Sequence, residues 1–516
     1  MVAPDDGHFS RVLDVHRWSD HPEIKDLTEK VWLTLSDDEC LQLHANGNRK
    51  PLSDAKKQLR VLLLDLYVAW LDDPLLWVAV ARGNGDYSPT SRYNALHISK
   101  KIVEVVDVLL AHDFLDHSPF YHDRMTGGRS SKTSRYRASA KLQAMFSDLT
   151  ISLYDVDHHA GEEVVVLSDF MTDEQGAFIR SNGGKKKRSF IKYKDEDHPP
   201  VVQMRQLLTS YNALLKVSYI DVGSLDRPLV ERHRKDKKVQ RVRIDQTGKW
   251  VRRVFSRNSW SHNGRFYGGW WQQIGKDLRA DILIDDCETQ EVDFKGYHVA
   301  MLAAEKGVLR PLDYDWYDLG ELLVPSLTSK EQRAALKLLV LTAVNDKSRK
   351  SAYQAFRDNS PVSLTDNELS LLLDAFLERN PFLADGICSD RGISLMWQDS
   401  QVTELILQDF IERREIVLSV HDSYIVKRSQ VPELERAMAA ATKTIIGSSL
   451  PADKDDYSPV QRQQILNDFR RHDFNHYYSL QVSSFSKPLA PVSRTKRYEE
   501  SYQKFLKWRE TKEDKN

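Results

Sequence analysis

The stretch VLSVHDSYIV, residues 417–426, constrains the fold more than any other part of the chain. Ile416–Val420 and Tyr424–Val426 are mostly β-branched and apolar, the signature of strands buried on both faces, and His421, Asp422 and Ser423 interrupt them. Asp and Ser are turn residues, so the segment predicts two short strands joined by a tight turn that presents Asp422 at the rim of a sheet. A carboxylate in that place needs water or a cation. Taken alone, the stretch is better read as an ordinary hairpin turn, and the rest of the chain has to shift that reading.

At 516 residues the chain exceeds what one core can organise and predicts two or three domains. The net charge of -1 carries no whole-chain sign of a nucleic-acid partner, but the positive charge is local. Lys185, Lys186, Lys187 and Arg188 form one basic run and residues 231–257 another; beside aromatics, such runs suit a phosphate-contacting face. Cys40, Cys287 and Cys388 show no CxxC spacing, which argues against a disulfide framework or a zinc ribbon and for a reducing cytoplasm. The first thirty residues lack a signal-peptide pattern, and no apolar run approaches the roughly 20 residues that span a bilayer, so a soluble protein without a membrane partner is expected.

Residues 55–82 predict an apolar helix ended by Asp72, Asp73 and Pro74, then a second short apolar element. From Ser99, Ile102, Val103, Val106, Leu109 and Leu110 recur at helical spacing. Two alternating segments then flank the turn signal TGG at 126–128. A helix running into a hairpin that carries Arg124, Arg129, Lys132, Arg135 and Arg137 resembles a winged helix-turn-helix, as in many plasmid replication proteins. The resemblance implies phosphate contacts by the wing; the competing reading is a small helical domain with a basic loop. His158 and His159 are adjacent rather than spaced for one metal, which favours a solvated loop. GGKKKRSF at 183–190 predicts an exposed loop or linker, residues 201–222 a helix, and the charged last thirty residues a surface helix or frayed tail. There is no internal repeat.

A second acid stands at a strand end. Glu291–Phe294 predict the end of a strand carrying Asp293, and Val299–Lys306 a helix, a common way to hold a divalent cation at a sheet edge. Neighbouring strands could bring Asp293 and Asp422 together. Thr328 followed by Glu331 fits a capping box that starts a helix. Arg333 and Lys337 then share one face, opposite Leu336, Leu339 and Val340, and two cations on one stripe suit a triphosphate.

The order of these segments resembles the palm and fingers of family A DNA polymerases and the related phage-type single-subunit RNA polymerases. NGRFYGGWWQQI, with Gly264 and Arg265, is similar to their GR motif; VDFKGYHVAMLA resembles motif A, RAALKLLVLTAVND motif B and VHDSYIV motif C. RGISLMWQDSQVTELILQDF, residues 391–410, corresponds to the helix before motif C, with Gln398 and Asp399 near the site. The resemblance covers residues 250–430. It implies an α+β chain: a right-hand polymerase palm built on an antiparallel sheet with helical fingers, after a largely helical N-terminal region containing the winged-helix-like part. The expected divisions are 1–150, a connecting or thumb-like 151–250, a palm and fingers at 251–445, and a C-terminal extension at 446–516.

By that resemblance, Asp293 and Asp422 would hold two Mg²⁺ ions, with Mn²⁺ as an alternative, in two-metal phosphoryl transfer from a nucleoside triphosphate to a primer on a DNA template. Arg333 and Lys337 would take the triphosphate, with Lys337 protonating the leaving group. Arg265, Gln398 and His421 would hold nucleic acid, and Trp270 and Trp271 include at least one core residue. Asn345 and Asp346 stand where both families usually carry tyrosine and glycine, which removes an aromatic platform near the incoming base. His298 stands five residues after Asp293, where it can act as a steric gate against a 2′-hydroxyl. HDS in place of HDE leans toward the RNA polymerases. No acidic exonuclease pattern precedes residue 250, so proofreading is not expected. The reading is a DNA polymerase of a phage or plasmid-type mobile element. Its alternatives are a single-subunit RNA polymerase or primase, and a non-catalytic DNA-binding replication initiator with an inert palm.

Overall fold

Two main apolar cores, one drawn from Leu13–Val156 and one from Val164–Leu450, organise the computed structural model. It describes residues 10–44, 54–83, 86–118, 133–158, 162–173, 175–180, 186–233, 239–311, 313–454, 492 and 494–513. The fold mixes helices with mainly antiparallel sheets.

The first core centres on the helix Ala55–Asp72, which starts where the Asp54 side chain accepts from the Lys57 N–H at 2.6 Å and ends at the predicted acids. It packs on the helix Lys101–Ala111, whose Ile102, Val103, Val106 and Leu109 are buried. Strands Leu115–Ser118 and Arg135–Ala138 follow as an antiparallel pair at one edge of a four-stranded sheet, so the predicted helix-to-hairpin order is present. Arg124, Arg129, Lys132 and the turn at 126–128 lie outside the described residues, as does His159. Arg137 donates to Asp116 at 3.0 Å and lies 4.4 Å from the Trp77 ring centroid. Arg135 is half-buried on the same strand.

The second core fills the space around a six-stranded antiparallel sheet. Its order is Leu418–Val420, Ser423–Lys427, Cys287–Phe294, Ile282–Ile284 and Ile220–Val222, with Ala452–Lys454 also paired to Cys287–Phe294. The helix expected over 201–222 stops at Lys216, and Ile220–Val222 instead pairs with Ile282–Ile284. Ile220 and Val222 are fully buried there, and packing on a sheet overrides the local helical period. Helices Tyr297–Glu305, Ser329–Asn345, Arg349–Asn359, Asp366–Arg379, Gly392–Glu412 and Val431–Ile446 complete this half. Trp270 and Trp271 are both core.

A second four-stranded sheet, in the order Ser259–Tyr267, Arg252–Ser256, Val165–Phe170 and Arg188–Phe190, lies against the helix Gly392–Glu412. The charged C-terminal segment forms the surface helix Lys496–Glu513, one of the two expected forms, and one stripe of it is docked. Tyr498, Tyr502, Phe505 and Trp508 recur at helical spacing and pack on Tyr154 and Tyr219. The Arg497 guanidinium is bidentate to buried Asp221 at 2.8 and 2.9 Å. Composition hid this stripe because its other faces are charged. Among the described residues, no helix is long and apolar enough to cross a membrane.

Candidate active site

Strands Leu418–Val420 and Ser423–Lys427 form the predicted hairpin, with His421 and Asp422 as a two-residue turn. His421 takes the left-handed backbone, φ 60°, that such short turns demand. Ser423–Lys427 also pairs with the motif A-like strand, so Asp293 stands opposite Ser423 and the Phe294 N–H donates to the Asp422 carbonyl at 3.4 Å. Two acids distant in sequence thus meet at one end of a ladder. Burial, then the Asp422 charge, pushes the Asp293 carboxyl up to about 7, and Lys276 and Lys337 pull the other way. The Asp293 Oδ1 is buried with no hydrogen-bond partner. Ser423 donates its hydroxyl to Glu291 at 2.6 Å.

The chain leaves the strand through Gly296, φ 60°, where a Cβ would stand 2.8 Å from the Trp316 ring. Only glycine accepts both demands cheaply, and it starts the helix that carries His298 in its first turn. Burial, then Arg265, lowers His298 to about 4, so its imidazole is neutral at neutral pH. The His298 Nε2 lies 3.4 Å from Arg265 Nη2. Arg265 donates to Asp399 at 2.5 Å. Asp399 is fully buried; burial pushes its carboxyl up to about 7 against the pull of Arg265, and its Oδ1 has no hydrogen-bond partner. Arg265, expected to hold nucleic acid, is therefore held from behind by an acid to which the sequence reading gave no role. The signal was available: Leu395, Val402 and Ile406 are buried on this helix, and Asp399 occupies the same core-facing row.

Gln398 is half-buried one residue before Asp399. Burial lowers the half-buried His421, and its ring meets Tyr267 edge-on with centroids 5.8 Å apart. The capping box of Thr328 and Glu331 starts the helix Ser329–Asn345, with Arg333 and Lys337 exposed on one face and Leu336, Leu339 and Val340 fully buried. Lys337 acts on Asp293 through its charge, whereas Arg333 is engaged by Asp315 at 2.5 and 3.1 Å. Asn345, at the end of this helix, donates to the Leu341 carbonyl at 2.8 Å and packs against Gly392, where a Cβ would meet its amide. Asp293, Asp422, Arg265, His298, His421 and Lys337 are thus linked by short contacts or by charge, while Arg135 and Arg137 belong to the N-terminal sheet.

Two carboxylates with an unsatisfied buried oxygen are hard donors that fit Mg²⁺ or Mn²⁺. Among the described residues, no group of three or more His, Cys, Asp and Glu side chains stands ready for a metal. A cation at Asp293 and Asp422 would draw its remaining ligands from phosphate oxygens and water, the ordinary habit of Mg²⁺.

No protein-family model matches this chain, and no curated protein does. Among solved structures 29 chains match. One is the POL domain of Pol1 from M. smegmatis in complex with DNA primer-template and dNTP, with a TM-score of 0.27 and 11% identity. The match takes in 54% of this chain and 57% of that one.

Proposed function

We propose that this chain is a template-directed nucleotidyltransferase, and specifically a DNA-directed DNA polymerase that extends a primer strand. The observation that supports the reading is that the ladder sets Asp293 opposite Ser423, beside the turn that carries Asp422, with an orphaned Asp293 carboxylate oxygen and a lysine-bearing helix acting on it. A carboxylate left this acid-weak has a use once it binds a cation. Bound Mg²⁺ would supply Lewis-acid stabilisation to the triphosphate and favour ionisation of the attacking hydroxyl.

The residues of the chain then divide the remaining tasks. Asp293 and Asp422 would hold the cation, supplying its carboxylate ligands. The primer 3′-hydroxyl releases its proton to water, its oxygen bonds to the α-phosphorus, the bond from that phosphorus to the oxygen bridging to the β-phosphate breaks, and Lys337 offers charge and a proton to the departing pyrophosphate. Arg333 takes the outer phosphates once it parts from Asp315. His298 stands as neutral bulk fixed by Arg265, suited to exclude a 2′-hydroxyl and so to favour deoxynucleotides. Asp399 keeps Arg265 in place.

Extension of a labelled primer on single-stranded DNA with Mg²⁺, using dNTPs and NTPs in separate reactions, tests this reading. Extension with dNTPs that Asp293→Ala and Asp422→Asn both lose is the expected result. NTP-only synthesis would move the activity to RNA polymerase or primase, and no incorporation with either would defeat the enzyme reading.

A further inference from the structure

The sheet built from Ser259–Tyr267, Arg252–Ser256, Val165–Phe170 and Arg188–Phe190 turns one face inward, with Val165, Leu167, Phe255 and Phe266 in the core. Strand register puts the alternate residues on the outer face. Tyr267 stands opposite Arg252, Val254 beside Val166, Ser168 opposite Phe190 and Phe170 opposite Arg188. An open cleft of about 450 Å³ runs along this face, lined among others by Tyr267, Trp250, Arg252, Phe190, Arg11 and Arg17. Its near end is the ring of Tyr267, which touches His421 in the turn that carries Asp422. Arg11 and Arg17 are matched by Asp65 and Arg252 by Glu162, so the cleft itself offers aromatic surface rather than net charge.

The net charge lies at the far end. Past the sheet the last two strands continue as a ribbon, held by the bridges Thr172–Phe178 and Arg180–Lys186. Its described residues carry four basic side chains, Arg180, Lys186, Lys187 and Arg188, against one acid, Asp173. Phe178 and Phe190, 45% and 54% exposed, are the only exposed phenylalanines among the described residues. Cations interleave with them. The Lys186 ammonium lies 3.6 Å from the Phe178 ring centroid, and the Arg188 guanidinium 5.0 Å from that of Phe170. Exposed rings alternating with cations match a partner that offers flat π faces and a phosphate backbone together. A duplex hides its base faces; a single strand does not.

We infer that this ribbon binds single-stranded DNA, and that the cleft along the outer side of the sheet, past the buried Val166 and Ser168, leads the strand between the ribbon and the carboxylate pair. The binding stands on the ribbon alone; the connection to catalysis rests on the nucleotidyl-transfer reading.

Fluorescence anisotropy of a labelled oligothymidine of about 16 nucleotides with the full chain tests it. Two variants serve, Phe178→Ala with Phe190→Ala, and Lys186→Glu with Arg188→Glu; all four side chains are solvent-exposed, and thermal unfolding checks that each variant folds. The aromatic pair is expected to weaken binding about tenfold or more at every salt concentration, because stacking is insensitive to salt. The charge pair is expected to weaken binding most at low salt and to flatten its salt dependence. Affinity unchanged in both variants overturns the inference, as does equal binding of a blunt duplex, or a ribbon-dependent preference for anionic lipid vesicles over the oligonucleotide. Primer extension on the same preparations separates the two readings. Ribbon-dependent binding without extension would sink the polymerase and leave the strand-binding surface, and extension unaffected in variants that bind normally would do the reverse.

Discussion

Replacing Asp293 by asparagine should make this protein more stable while removing its activity. Burial and the Asp422 charge hold the Asp293 carboxyl at about 7 instead of the ordinary 3.8. A carboxyl whose folded value is raised binds its proton more readily in the folded state, so the fold loses stability as pH climbs from the lower value to the higher. Each unit between them corresponds to about 1.4 kcal/mol, which sets a ceiling of about 4 kcal/mol above pH 7. Solvent reaches the half-buried side chain and Lys337 and Lys276 oppose the penalty, so about 1–3 kcal/mol is the expected gain at pH 8. At pH 5 about a third of it should remain. Thermal unfolding without divalent ions is the assay, with about 2–4 °C expected for each kcal/mol in a domain of 150–250 residues. Added Mg²⁺ should stabilise the wild type and leave Asp293→Asn unmoved, since a ligand stabilises only the state that binds it. A variant no more stable than wild type at pH 8, or a gain equal at pH 5 and pH 8, would refute the reasoning.

Asp399→Ala strands the Arg265 guanidinium in a buried site and should cost about 3–5 kcal/mol, read as a lowered unfolding transition; an unchanged transition would mean that Arg265 finds another partner. Gly264→Ala meets both a left-handed backbone, φ 76°, and contacts of 2.8 Å to Ser400 and 2.9 Å to the Phe255 ring. The backbone alone costs about 1–2 kcal/mol, so a larger loss is expected in chemical denaturation, and a neutral substitution would show that strand and helix separate easily. Asp315→Asn releases Arg333 from an exposed pair worth about 0.2–1 kcal/mol, so the KM for nucleotide should fall by up to about fivefold in steady-state extension; a KM that rises would show that Asp315 positions Arg333 for the triphosphate.

Local elements were legible wherever their cause is local. The hairpin at 417–426, the strand ending at Asp293, the capping box at Thr328 and the helix ending at Asp72 depend on periods, turn residues and caps that lie within a few residues of one another. The same local logic misjudged Ile220–Val222, where a distant strand outcompeted the helical period, and at residues 496–513 it foresaw a surface helix but not the docked aromatic stripe, which charge masked.

The sequence by itself determined which residues are candidates for the proposed chemistry: an acid at a strand end and another in a hairpin turn, two cations on one helical face, a glycine–arginine pair. Only the tertiary structure decided how they stand toward one another. Register sets Asp293 beside the Asp422 turn, burial draws Asp399 onto Arg265, and Asp315 occupies Arg333. The physical reason is that charge and desolvation act through space. The shift of a carboxyl and the partner of a guanidinium are therefore properties of the packed chain, which no stretch of residues contains alone.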